Sequence, residues 1–137
     1  MKQEDKNLLL KDLCARLPYG VIIEHDGNLS KLDTIFMCDD ISISSTSIDK
    51  KLSYNLDLDE VKPYLYPLSS MTEEKKYNNP IGFSQMLTIL ANRDWECITI
   101  RHRDLQKLID WFDKNHFDWR GLIPMGLAND ATGLNIY

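Results

Sequence analysis

The chain has 137 residues, of which 43% are apolar and 27% charged, and its formal net charge is −5. That length suits one domain and can bury roughly two-thirds of the unfolded surface, so folding requires neither metal nor disulfides. Ordinary apolar content argues against a disordered chain, and the acidic balance opposes broad binding to nucleic-acid phosphates. Cys14, Cys38 and Cys97 are widely spaced with no CxxC pair, the pattern of buried free thiols in a reducing compartment. The apolar run at 8–10 is too short for a signal segment, and no stretch approaches the ~20 apolar residues of a membrane span. The expectation is a cytoplasmic single domain over 1–137, with no cofactor and no membrane contact.

The predicted elements begin with a helix over 4–17. Leu9, Leu10, Leu13, Ala15 and Leu17 form an apolar stripe, Lys6, Lys11, Asp12 and Arg16 lie elsewhere, and Pro18 with Gly20 ends the helix. Residues 20–25 are short and β-branched, and Asp26-Gly27 follows, the strongest short-range hairpin signal. The return strand over 29–38 places Leu32, Thr34, Phe36 and Cys38 on one face, and Asp39-Asp40 make a second turn. Residues 41–44 and 52–58 alternate with period two, with 44–51 read as a loop or edge between them. Two prolines make 61–68 an edge strand or extended segment. Ser70-Met71-Thr72-Glu73 reads as a capping box that opens a helix, which Asn78-Asn79-Pro80 ends. Phe83, Met86, Leu87, Leu90 and Ala91 recur at helical spacing, 95–100 is a short strand candidate, and 104–115 carries Leu105, Leu108, Ile109 and Phe112 on one stripe with Trp111 at its flank. The fold class is α+β: an N-terminal helix, an antiparallel meander or small barrel of four or five strands, then C-terminal helices packed on the sheet.

Three blocks carry a resemblance: Leu13-Cys-Ala-Arg-Leu-Pro-Tyr-Gly-Val21, Lys62-Pro-Tyr-Leu-Tyr-Pro-Leu-Ser-Ser-Met-Thr-Glu73 and Ile109-Asp-Trp-Phe-Asp-Lys-Asn-His-Phe-Asp-Trp-Arg-Gly-Leu-Ile123. In order and spacing they resemble a family of small uncharacterised proteins of gut Bacteroidetes genomes and their prophages. The resemblance spans nearly the whole chain and implies an accessory role in a mobile element. It brings no catalytic residues with it.

Candidate chemistry is sparse. Arg101-His102-Arg103 is the densest basic spot and could meet a phosphate at a helix start, although Asp104 beside it favours a simple capped helix. His116 and Asp118 could be a metal pair or a base with its carboxylate, but a zinc site needs three or four ligands. The plainer reading gives His116 a partly cationic place at a helix C-terminus and makes Asp118 the cap of a final turn. Asp94 and Glu96 faintly resemble a nuclease carboxylate pair, yet Ile98 stands where a lysine belongs. There is no G-x-S-x-G elbow, P-loop or G-x-G-x-x-G. Catalytic and metal residues are therefore assigned to none. Trp111 is expected to be buried, while Trp119, Arg120, Tyr64 and Tyr66 are the residues for an interface. The functional expectation is a non-enzymatic protein-interaction or accessory module with a protein partner. The alternatives are a hydrolase or nuclease-like enzyme assembled from distant residues, and weak nucleic-acid binding through 101–103.

Overall fold

The computed structural model describes residues 1–91 and 102–137. The expected strand at 95–100, the Asp94/Glu96 pair, Cys97 and Arg101 lie outside the described residues. The chain starts with α1, Gln3–Arg16, which a 3-10 turn and Gly20 at φ 68° bring to a halt. Four strands follow as a meander: β1 (Ile22–His25), β2 (Asn28–Met37), β3 (Ile41–Ser47) and β4 (Ser53–Asp57). β5 (Lys62–Leu65), the short α2 (Glu73–Tyr77), α3 (Phe83–Ala91), α4 (His102–Lys114) and the two-residue β6 (Asn129–Asp130) complete the described elements. The fold is α+β, as expected.

The sheet runs β4-β3-β2-β1-β5-β6, with β5 and β6 parallel and every other pair antiparallel. It is open and does not close into a barrel, because no pairing joins β4 to β6 among the described residues. Asp26 and Gly27 both adopt positive φ, 47° and 77°, as a type I′ turn between β1 and β2 requires. A Cβ on Gly27 would meet nothing within 4 Å, so only backbone strain is at stake there. Gly27→Val is expected to cost about 1–2 kcal/mol in urea unfolding and Gly27→Asn much less, since Asn tolerates the left-handed region. Equal costs for the two would show that the turn does not depend on positive φ.

Several expectations require correction. The segment at 44–51 is not a loop throughout: residues 44–47 continue β3, with β2 on one side and β4 on the other, and the Ser30 hydroxyl donates to Ser45 Oγ over 2.9 Å inside the protein. In β2 the alternation breaks at Asp33, an extra residue where the register shifts between Leu32 and Thr34. The bulge inverts the faces beyond it. Ile35 therefore packs on the core, while Thr34 and Cys38 are exposed and Phe36 is 52% exposed. β5 is not an edge, since β1 flanks it on one side and β6 on the other. Each of those ladders is only two residue pairs long, so a proline is tolerated. The cap of α2 is Thr72, whose hydroxyl accepts from the Lys75 N–H, whereas the Ser70 hydroxyl donates to the Pro67 carbonyl. The thiols are not uniformly buried: Cys38 is exposed and Cys14 half-buried.

Two apolar clusters hold the layers together. Leu9 and Leu13 of α1 pack against Val21, Ile23, Leu32, Ile43 and Leu65 beneath them. Met86 and Ile89 of α3 meet Leu108 and Phe112 of α4 and the following Phe117 in the second cluster. Trp111, half-buried, packs against this second cluster. Among the described residues, no helix is long and apolar enough to cross a membrane.

Candidate functional site

The end of α4 sets the site. Phe117 N–H donates to the Phe112 carbonyl and His116 N–H to that of Asp113, so the helix stops in a Schellman motif with His116 at the left-handed position, φ 61°. Glycine is the usual occupant there, and a non-glycine residue in this conformation is backbone strain of the kind that collects at functional positions. Asp118 then caps the turn beyond, its carboxylate accepting from Leu122 N–H at 2.7 Å and Ile123 N–H at 2.9 Å.

Charged residues join α1 to this corner from the inside. Asp12 and Arg16, expected off the apolar stripe of α1, are fully buried. Arg16 Nε donates to Asp12 Oδ2 at 2.9 Å, and its Nη2 donates to the Phe117 carbonyl at 2.6 Å. Arg120 Nη1 bridges Asp12 Oδ1 at 2.7 Å and Asp113 Oδ1 at 2.8 Å, while Trp119 Nε1 also donates to Asp113. Two carboxylates and two guanidiniums thus form a buried, neutral set, in which Arg16 Nη1 and Arg120 Nε have no hydrogen-bond partner. Burial disfavours the Arg120 charge, but hydrogen bonds to Asp113 and the fields of Asp12 and Asp113 outweigh it and hold the guanidinium above its usual range.

Tyr137 closes the corner from the other side. Its hydroxyl accepts from the Ile22 N–H at 2.9 Å and donates to the Tyr64 carbonyl at 2.7 Å, bridging β1 and β5 where their direct ladder has ended. Burial pushes its phenol above the ordinary tyrosine range. Its ring stacks on His116 with centroids 3.6 Å apart. The imidazole is only 8% exposed, and its Nδ1 has no hydrogen-bond partner. Burial first, then the positive fields of Arg16 and Lys75, pull its pKa from 6.5 to about 4. His116 is therefore neutral at physiological pH, not the partly cationic helix-end residue expected from its place in the chain.

Outside this corner lies a cleft of about 460 Å³. Tyr66, Phe117, His116 and Tyr137 line it with Lys75 and Lys114, and Ser70, Thr72 and Asn115 complete the lining, with no Asp or Glu side chain among them. Lys75 Nζ stands 5.3 Å from the centroid of the Phe117 ring. Neither lysine has an ion-pair partner among the described residues. In a chain with 21 acidic residues, this is a cationic exception. A second depression of about 330 Å³ is apolar, lined by Pro67, Leu68, Ile89, Leu90, Trp119, Ile123 and Pro124 with a few polar neighbours. Segment 66–72 contributes to both hollows and is the wall they share.

The residues expected at an interface separate here. Tyr66 lines the cationic cleft and Trp119 the apolar one. Arg120 is held inside by Asp12 and Asp113, and its guanidinium stacks 4.2 Å from the Trp119 ring centroid. Tyr64 lies half-buried in β5, with its carbonyl taken by Tyr137. Arg103 is exposed on α4, at the margin of the described residues. Sequence reasoning missed Lys75, Lys114 and Tyr137, because nothing local marks them as neighbours. A catalytic serine–histidine arrangement does not form at this cleft: the Ser70 proton goes to Pro67, and His116 Nδ1 lacks the carboxylate that orients such a base. Among the described residues no three His, Cys, Asp or Glu side chains gather closely enough to hold a metal ion. A scan of protein-family models, a search of curated proteins and a search of solved structures each found no match, so function must be argued from the geometry.

Proposed function

We propose that the protein is a non-enzymatic interaction module that holds an acidic segment of a protein partner across segment 66–72. The observation that carries this reading is the pairing of two hollows on one wall, one cationic and aromatic, the other apolar. Lys75 and Lys114 supply unpaired positive charge, Tyr66 and Phe117 supply flat aromatic surface, and Trp119 with Leu68 and Ile89 supplies an apolar anchor site. An extended peptide can place a carboxylate in the first and an apolar side chain in the second. A small anion would use only half of this surface. The resemblance to prophage-borne proteins fits an accessory role of this kind.

The reading is tested with an array of acidic, neutral and basic peptides, each with and without an apolar residue a few positions away. Acidic peptides are expected to bind, and the Lys75→Glu/Lys114→Glu variant to lose about tenfold or more in affinity through like-charge repulsion. Both lysines lie outside the buried ion network, so circular dichroism of the variant should match the parent. Equal binding of all three peptide classes, or an acidic preference unchanged in a folded variant, would overturn the proposal.

A further inference from the structure

His116 stands where a helix ordinarily places glycine, at φ 61° just beyond α4. A side chain held in that conformation stores strain, and this one adds a second cost. The ring is only 8% exposed, and Nδ1 is enclosed without a hydrogen-bond partner. The carboxylates nearby in sequence are already engaged: Asp113 accepts from Trp119 and Arg120, and Asp118 from the Leu122 and Ile123 N–H groups. Strain and an unpaired buried nitrogen at one residue of a cleft call for a role beyond ending a helix.

Tyr137 fixes how the ring lies. Its hydroxyl is tied to the Ile22 N–H and the Tyr64 carbonyl, and its ring is nearly parallel to the imidazole, with 13° between the planes. The two imidazole nitrogens then have different surroundings. A proton on Nδ1 would be a buried N–H without an acceptor, with its lost hydration uncompensated. Nε2 is not enclosed and bonds to no described residue, which leaves it as the nitrogen that meets the cleft. Burial and the positive fields of Arg16 and Lys75 keep the ring neutral, and Lys114, Tyr66 and Tyr137 share the cleft with it. The neutral ring thus carries its single proton on Nε2.

We infer that His116 Nε2–H is the hydrogen-bond donor that receives a carboxylate of the acidic partner segment in this cleft. The inference rests on the proposed peptide-holding function and names the atom that fixes the acid in place. Lys75 and Lys114 attract an anion from flexible stems, as point charges without a set direction. A ring locked against Tyr137 supplies that direction. It does so without adding a third buried cation beside the lysines, whose mutual repulsion an empty cleft would have to bear. With no Asp or Glu side chain in the lining, the donor is left open in the free protein. A carboxylate there gives Nε2–H a charge-assisted partner, whereas a basic side chain would meet only donors and like charge.

Nitrogen-15 NMR of the imidazole tests this, in the free protein and with the tightest-binding acidic peptide of the array. At pH 7 the free protein should show His116 as a neutral ring protonated on Nε2. Saturating peptide should shift the Nε2 signal while Nδ1 stays unprotonated. A residue that merely supports the corner would not report the peptide in this way. His116→Asn tolerates the left-handed position and identifies the signals by their loss. It should bind the peptide about tenfold more weakly, and by the same factor at pH 8 and pH 6, because no charge is removed. A proton on Nδ1, a cationic ring at pH 7, or a folded His116→Asn variant that binds like the parent or loses affinity only at pH 6 would overturn the inference. A peptide that binds without moving Nε2 overturns it while leaving the peptide-holding function intact, whereas an array with no acidic binder overturns both.

Discussion

Replacing Arg16 by methionine is expected to destabilise the protein by about 3–5 kcal/mol, the range for breaking one member of a buried ion set. The reason lies in what is left behind. Asp12 Oδ2 and the Phe117 carbonyl lose their partners inside the protein, and two carboxylates then face the single guanidinium of Arg120. Methionine fills much of the same volume, so lost packing contributes little. Against the 5–15 kcal/mol that holds a typical domain folded, this is a large share. Urea unfolding followed by tryptophan fluorescence measures it. A second variant separates charge from packing: Asp12→Leu/Arg16→Met removes one charge of each sign and leaves Asp113 with Arg120. It should be more stable than Arg16→Met alone, a coupling of about 0.5–3 kcal/mol. A cost below about 1 kcal/mol for Arg16→Met, or additive single and double variants, would mean that the set contributes no cooperative stability.

That charged set was partly legible in the sequence. Leu9, Asp12, Leu13 and Arg16 share one face of α1 at helical spacing, so Asp12 and Arg16 continue the apolar stripe inward. What hid it was the rule that charged residues sit outside, which fails when the partners arrive from distant sequence. Arg120 is 108 residues from Asp12, and nothing local announces that meeting. The hairpin at Asp26-Gly27, α1, α3, α4 and the Asp118 cap were legible because each rests on short-range chemistry. The bulge at Asp33 was not, since the pattern on either side of it alternates acceptably by itself. The cleft was least legible of all. Lys75, Lys114, His116 and Tyr137 come from three separate stretches and meet only through the sheet and the end of α4.

His116 makes acid sensitivity the second test. In the unfolded chain its imidazole takes a proton near pH 6.5, whereas in the fold burial and the charges of Arg16 and Lys75 delay this to about pH 4. Between those values the unfolded state holds one proton more than the native state, so native stability rises with pH and falls as the solution is acidified. The loss begins near pH 6.5 and is complete below about pH 4. The full gap corresponds to about 3 kcal/mol, and the solvent reaching the ring through the cleft reduces that to roughly 2 kcal/mol. Acid-titrating carboxylates elsewhere add their own slope, so the decisive quantity is a difference between two proteins. His116→Asn keeps a residue that tolerates the left-handed position and removes the titrating group. The stability gap between parent and variant should therefore narrow or reverse as pH falls from 6.5 to about 4, in urea unfolding at each pH. The stacked Tyr137 ring and the enclosed Nδ1 explain why no proton is accepted earlier: a cation there would have no acceptor for its second N–H. A gap constant over that range would mean that His116 takes its proton equally well in the folded and unfolded chain, and the cleft would then carry a third positive charge beside Lys75 and Lys114 in mild acid.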